Sequence, residues 1–155
     1  MFRPLLSRTR PQVRRGRDER GASAVEFALV VLPLLGLVFS LIAYGYMLSF
    51  RQAISQGAAE GARAAAIWHA PYADTQLVDR EAAAKAAANE ALSSYGVECD
   101  QNGTQCLVSF SDCEGGAAKC AEVTISYPYA DQPLIPLPLI PLPGALQYTA
   151  ETRAS

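Results

Sequence analysis

The sequence predicts an α+β protein. A long N-terminal transmembrane helix extends into a small extracytoplasmic domain with a second helix and a short disulfide-linked antiparallel β-sheet. Three observations carry this reading. A long run without ionisable groups separates an arginine-rich start from an acidic remainder. Alanine-rich stretches with helical periodicity follow, up to Gly96. Beyond Gly96 come four cysteines, turn signals and segments that alternate apolar and polar residues.

The uncharged run spans 24 residues, Phe27 to Phe50, or ~36 Å of helix at ~1.5 Å per residue. A hydrocarbon core of ~30 Å is spanned by it with some tilt. It is too long and too uniformly apolar for a core helix. Its apolar part also exceeds the usual ~7–15 residues of a cleaved secretory signal. Pro33 is tolerated in a membrane helix. Glu26 stands at the start of the run, where a plain anchor has no use for an acid. Residues 1–21 hold seven arginines against Asp18 and Glu19, a net +5, while residues 22–155 hold six bases against thirteen acids, a net −7. The positive-inside rule leaves the basic leader in the cytoplasm and everything after Phe50 outside. The expected division is a leader over 1–21, a transmembrane helix over 22–50 and an extracytoplasmic α+β domain over 51–155. Residues 1–20, with Pro4 and Pro11, read as a disordered leader. The basic arm adjoins a membrane segment and lacks interleaved aromatics, so nucleic acid is not an expected partner. Arg14-Arg15 is followed by Gly-Arg-Asp rather than an apolar run, unlike a twin-arginine signal.

Past the membrane, residues 51–67 continue as helix, since alanine is the best helix former and only Gly57 and Gly61 oppose it. Gly57, Gly61 and Ala65 repeat every four residues, as do Ala58, Ala62 and Ala66. This is either a face for close backbone approach or the outcome of an alanine-rich composition. Pro71 ends the element near Ala70. His69 is the only histidine and has no ligand-spaced partner. A second helix is expected from Thr75 to Tyr95, with Asp74 as N-cap and Asp79 and Glu81 in the first turns. Glu81 and Lys85 form an i,i+4 pair. Leu77, Ala84, Ala88, Ala91 and Tyr95 share a face that packs on Ala58 to Ile67, and Gly96 is the stop.

Residues 106–110 and 121–127 alternate as strands, the latter with Val123, Ile125 and Tyr127 on one side. Glu114-Gly115-Gly116 turns between them into a hairpin, and Asp100-Gln101-Asn102-Gly103 marks another turn. Cys99, Cys106, Cys113 and Cys120 lie seven apart, unlike the Cys-x2–4-Cys pairs of zinc sites. On the oxidising side of a membrane two disulfides are expected and no metal. Of three possible pairings, Cys99–Cys106 and Cys113–Cys120 are favoured, because each closes a turn-rich loop. Leu134 to Pro143 is extended and Pro-rich, packed on the chain's own helices or touching membrane or partner. Leu146 to Ala150 reads as a last strand and Glu151 to Ser155 as a tail.

No catalytic set is present. There is one histidine, the cysteines are paired, and no Gly-x-Ser-x-Gly, P-loop or dinucleotide fingerprint occurs. An enzyme and a cofactor are therefore not expected, and a membrane-anchored assembly or interaction module remains.

Residues 20–67 resemble the TadE-like family of tight-adherence (Flp-type) pilus pseudopilins. Arg20-Gly21-Ala22-Ser23-Ala24-Val25-Glu26-Phe27, Pro33, Tyr44-Gly45, Arg51-Gln52-Ala53 and Gly61-Ala62-Arg63 carry the likeness. Ala43 departs from it, where family members often carry an acid. The resemblance implies cleavage by a prepilin peptidase between Gly21 and Ala22, which makes Glu26 the fifth mature residue. It assigns Glu26 and Phe27 to assembly. It also implies as partners other pilins and pseudopilins, an inner-membrane platform, a secretion ATPase system and the lipid bilayer. The implied role is a minor or priming subunit. The rival is a signal-anchored extracellular interaction or adhesion domain that is never processed.

Overall fold

The computed structural model describes residues 18–67, 73–116, 118–135 and 143–154. Residues 1–17, the Trp68–Tyr72 break with His69, residues 136–142 of the Pro-rich stretch and Ser155 lie outside them. The element order is α1 (Asp18–Ile67), a 3-10 turn (Asp74–Gln76), α2 (Leu77–Leu92), a second 3-10 turn (Ser93–Tyr95), β1 (Gln105–Asp112), β2 (Lys119–Tyr127) and β3 (Leu146–Arg153). The chain divides into two units, Met1–Phe39 and Ser40–Ser155.

The described part of the first unit is the helix over residues 18–39. It already includes Asp18, so helix reaches into the stretch over 1–21 expected as leader. Apart from half-buried Val31, the side chains from Gly21 to Phe39 are exposed. Phe27 is 69% and Leu29 70% exposed. α1 is a helix long and apolar enough to cross a membrane. Pro33 lies inside it.

The second unit is organised on the remainder of α1. Phe50, Ala53, Ile54, Gly57, Ala58, Gly61, Ala62, Ala65 and Ala66 are buried, at the gaps of three and four that mark one helix face. Both four-residue tracks of small residues are thus on the core side. They pack against this chain's own α2 and β2. A Cβ added at Gly57 would lie 3.3 Å from Ile125 Cδ1 and 3.4 Å from the Ala88 carbonyl oxygen; at Gly61 it would lie 3.1 Å from the Ala84 carbonyl oxygen and 3.4 Å from Val123 Cγ1. One turn further, Arg80 donates to the carbonyls of Ala65 (2.7 Å) and Ala66 (3.2 Å). Each turn forward on α1 therefore meets one turn back on α2, an antiparallel helix pair.

The buried stripe of α2 is Arg80, Ala84, Ala88 and Leu92. This corrects the expected face, since Leu77, Ala91 and Tyr95 are only half-buried. Strict i,i+4 ridges meet the i,i+4 tracks of α1. Asp74 is not the N-cap expected from the sequence. It is exposed within the 3-10 turn that precedes α2, and neither N-terminus carries a side-chain cap. Gly96 ends the helical stretch in the left-handed region (φ 66°), which costs a residue without Cβ little.

The sheet order is β1-β2-β3, antiparallel throughout. Val108 pairs with Val123 and Val123 with Ala150, so one face of β2 carries Val123, Ile125 and Tyr127 into the core. The hairpin turn is closed by Gly116 N–H donating to Cys113 O and Cys113 N–H to Ala118 O, both at 2.9 Å. The expected tail is corrected: β3 runs on to Arg153, since Glu151 and Arg153 pair with Glu122 and Cys120 across the ladder. Ala154 N–H then donates to Lys119 O at 2.8 Å. Backbone pairing decides here over a composition that reads as a polar end. The disulfides are Cys99–Cys106, which ties the loop after α2 to β1, and Cys113–Cys120, across the hairpin. Each closes a short loop, which removes ~2–3 kcal/mol of loop entropy from the unfolded chain in the chain-entropy account.

Candidate functional site

Within the first unit, Gly21, Ala22, Glu26 and Phe27 all lie on α1 with exposed side chains. Nothing lies within 4 Å of a Cβ built at Gly21. Ala22 and Glu26 are i,i+4 neighbours, with ~5–6 Å between such positions on one helix face. Glu26 lies inside the described helix, which already takes in Asp18. A new N-terminus at Ala22 would lie one turn away from its carboxylate.

In the second unit an aromatic cluster surrounds Phe50, which is fully buried. Its ring centroid is 5.0 Å from Tyr95, 4.9 Å from Tyr127 and 6.4 Å from Tyr129. Tyr46 meets Tyr95 edge-on at 5.5 Å. The Tyr95 hydroxyl shares a 2.5 Å hydrogen bond with Ser49 Oγ. The Tyr127 hydroxyl donates to Gln132 O at 2.8 Å. Burial pushes the Tyr127 phenol above its ordinary range, and burial with the neighbouring Tyr127 and Tyr46 does the same for Tyr129. Both are therefore neutral donors across the physiological range. Ala43 is 4% exposed, so the position where an acid is common in the resembling family faces packed chain here.

Two open cavities lie beside this helix segment. One of about 560 Å³ is bordered by Gly45, Leu48, Arg51, Gln52 and Tyr148. The other, of about 420 Å³, is bordered by Met47, Arg51, Pro143, Leu146 and Gln147. Arg51 is common to both.

At the far side of α2, Lys85 bridges Glu81 (2.8 Å) and Asp100 (2.7 Å). Its hydrogen bonds to Asp100 and then Glu81 hold the ammonium above its ordinary range, and Lys85 holds the Asp100 carboxyl below its own. Cys113, Cys120 and Glu151 lie close enough together to hold a metal ion, yet the two sulfurs are bonded to each other and offer no thiolate.

Gly21, Ala22, Glu26 and Phe27 lie together on one helix with exposed side chains, and the four cysteines belong to the sheet region of the second unit. Sequence reasoning missed Arg80, the Tyr95–Tyr127–Tyr129 cluster and Arg51. Arg80 falls one turn before Ala84 on the Ala84–Ala88 stripe, but an arginine there reads as a surface residue. The aromatic contacts join residues far apart in the chain and had no local signal.

No curated protein and no solved structure matches the chain. Residues 21–63 match the family model described as TadE-like protein. The segment that carries Gly21, Glu26, the apolar span and both packing glycines is the part similar to that family, in keeping with the resemblance read from the sequence.

Proposed function

We propose that this protein is a minor pilin or pseudopilin-like membrane subunit that acts in assembly of a tight-adherence pilus or a related secretion machine. The TadE-like match over residues 21–63 carries the reading. The exposed apolar helix that begins with Gly21, Ala22 and Glu26 supports it. In this reading the leader stays in the cytoplasm, α1 crosses the inner membrane once, and the Ser40–Ser155 unit stands largely outside. A prepilin peptidase cuts between Gly21 and Ala22. Nothing crowds Gly21, and glycine there lowers the cost of local unwinding for a peptidase. The partners are other pilins and pseudopilins, the inner-membrane platform and its secretion ATPase.

Glu26 serves register. A carboxylate near hydrocarbon is costly, ~2.5–3.5 kcal/mol at the bilayer centre and less near its edge. Pairing with the Ala22 amine of a neighbouring subunit offsets that cost and gives the contact direction. Mass spectrometry of the native N-terminus is expected to find Ala22. Glu26→Ala is expected to leave insertion, cleavage and disulfides intact and to impair piliation. An intact Met1 terminus in cells with an active prepilin peptidase would favour the unprocessed, signal-anchored reading. Normal piliation by Glu26→Ala at normal protein levels would remove the register role.

A further inference from the structure

We propose that the cavities flanking Arg51 receive the phosphate and glycerol end of an anionic phospholipid from the extracytoplasmic leaflet. The inference rests on reading α1 as membrane-spanning and adds a lipid site to it. Counted from Phe27, twenty residues of helix fill ~30 Å of hydrocarbon and end at Tyr46. Arg51 stands five residues further, ~8 Å, at the level of the headgroups. The packed unit includes Ala43 and Phe50, on either side of Tyr46, so its near end straddles the edge of the hydrocarbon. Tyr44 and Tyr46 are 38% and 37% exposed there, the amphipathic ring type that favours this layer.

The lining fits that position. Met47 and Leu48, which precede Arg51 along α1, and Leu146 and Pro143 give apolar walls. Arg51, with Gln52 and the Tyr148 hydroxyl, gives donors to phosphate oxygens. Among the described lining residues of both cavities Arg51 is the one charged group, and no acid accompanies it. At about 560 Å³ and 420 Å³ the spaces are within the range of small-molecule sites. An anion with apolar tails, at this depth, is the occupant these walls complement.

The test reconstitutes the full chain in nanodiscs of phosphatidylcholine with a minor fraction of phosphatidylglycerol, and native mass spectrometry counts lipids retained after release. Retention of phosphatidylglycerol over phosphatidylcholine is expected. Arg51→Gln is expected to lower it about fivefold, the weight of one basic group near an anionic surface. Arg51→Lys is expected to keep most of it, and Arg63→Gln, an exposed base beyond the cavities, to leave it unchanged. Equal retention of the two lipids, or an unchanged preference in Arg51→Gln, would overturn the site. Displacement by millimolar inorganic phosphate, or a dimer that carries no lipid, would overturn the choice of occupant. Release of the wild-type chain from native membranes by alkaline carbonate would instead sink the membrane-spanning reading itself.

Discussion

Gly57 and Gly61 are one helical turn apart on the same face, and their substitution by alanine separates two effects that usually travel together. In a helix interior, Gly→Ala gains ~1 kcal/mol of propensity. At Gly57 the new Cβ would meet Ile125 Cδ1 at 3.3 Å, the mobile end of a flexible side chain, and the Ala88 carbonyl at an ordinary 3.4 Å. Most of the gain should survive, for ~0.5–1 kcal/mol of added stability. At Gly61 the nearest atom is the Ala84 carbonyl oxygen at 3.1 Å, part of the α2 backbone, with Val123 Cγ1 behind it at 3.4 Å. Relief there requires α2 to move, and overpacking of this kind costs ~1–3 kcal/mol. The expected net for Gly61→Ala is a loss of ~1 kcal/mol, or a fall of about 4 °C in Tm for a domain of this size. The assay is thermal unfolding in nanodiscs, followed by near-ultraviolet circular dichroism of the tyrosine cluster. Gly57→Ala should raise the midpoint and Gly61→Ala lower it. Equal gains for both would show that α2 does not sit as close to Gly61 as described, and the packing argument would fall with it.

Three further outcomes follow from the second unit. Arg80→Ala removes charge-assisted hydrogen bonds to the end of α1 and leaves a hole where a fully buried side chain was, and is expected to cost ~3 kcal/mol. A midpoint within 2 °C of wild type would contradict that role. Reduction of both disulfides should lower stability by ~4–6 kcal/mol under the chain-entropy account, read as a fall in unfolding midpoint on adding dithiothreitol. The pH dependence has a worked sign. Tyr127, Tyr129 and Lys85 are raised, so their contributions are whole below the unfolded values near ~10 and are lost as pH rises through the folded ones. Asp100 is lowered, so its contribution holds above ~4 and is lost as pH falls through its folded value. The Lys85–Asp100 pair is part-exposed and worth less than ~1 kcal/mol, so Asp100→Asn should flatten only the acid limb slightly. Phenolate absorbance at 295 nm should rise late and together with unfolding; an early, unfolding-free rise of the Tyr127 and Tyr129 signals would contradict their burial.

Much of this arrangement was legible because it is local. The gaps of four in Gly57–Gly61–Ala65 and Ala58–Ala62–Ala66 left a packing face and an alanine-rich composition as alternatives, while the expected contact of the second helix with Ala58 to Ile67 is found. The alternation of residues 121–127 gave β2, and the turn-rich loops between successive cysteines gave the favoured pairing. The Gly21 to Phe27 stretch gave the family likeness. What escaped needed three dimensions. Arg80 reads as an ordinary surface residue until the end of α1 is placed beside it, where its charge complements the helix terminus. Residues 151–153 read as a tail until the ladder with β2 supplies partners for their backbone. Arg51 reads as the first charge after the uncharged run until Tyr148, almost a hundred residues later, closes the other side of a cavity.

The cysteine pairs have a kinetic consequence. Each disulfide joins residues separated by seven positions, first Cys99 with Cys106 and then Cys113 with Cys120. In the proposed topology the chain is exported from its N-terminal end, and Cys99 would meet Cys106 before any other thiol had emerged. Oxidation in order of emergence thus yields the native pattern without trial. Cys106 and Cys113 are equally close in sequence, so a fully reduced chain refolded from denaturant has a competing short loop and three pairings to sort. Peptide mapping is expected to find scrambled bridges after rapid oxidative refolding and a single pattern in protein taken from the envelope. Under that topology vectorial export would act as a ratchet, with the direction of travel selecting which bond forms.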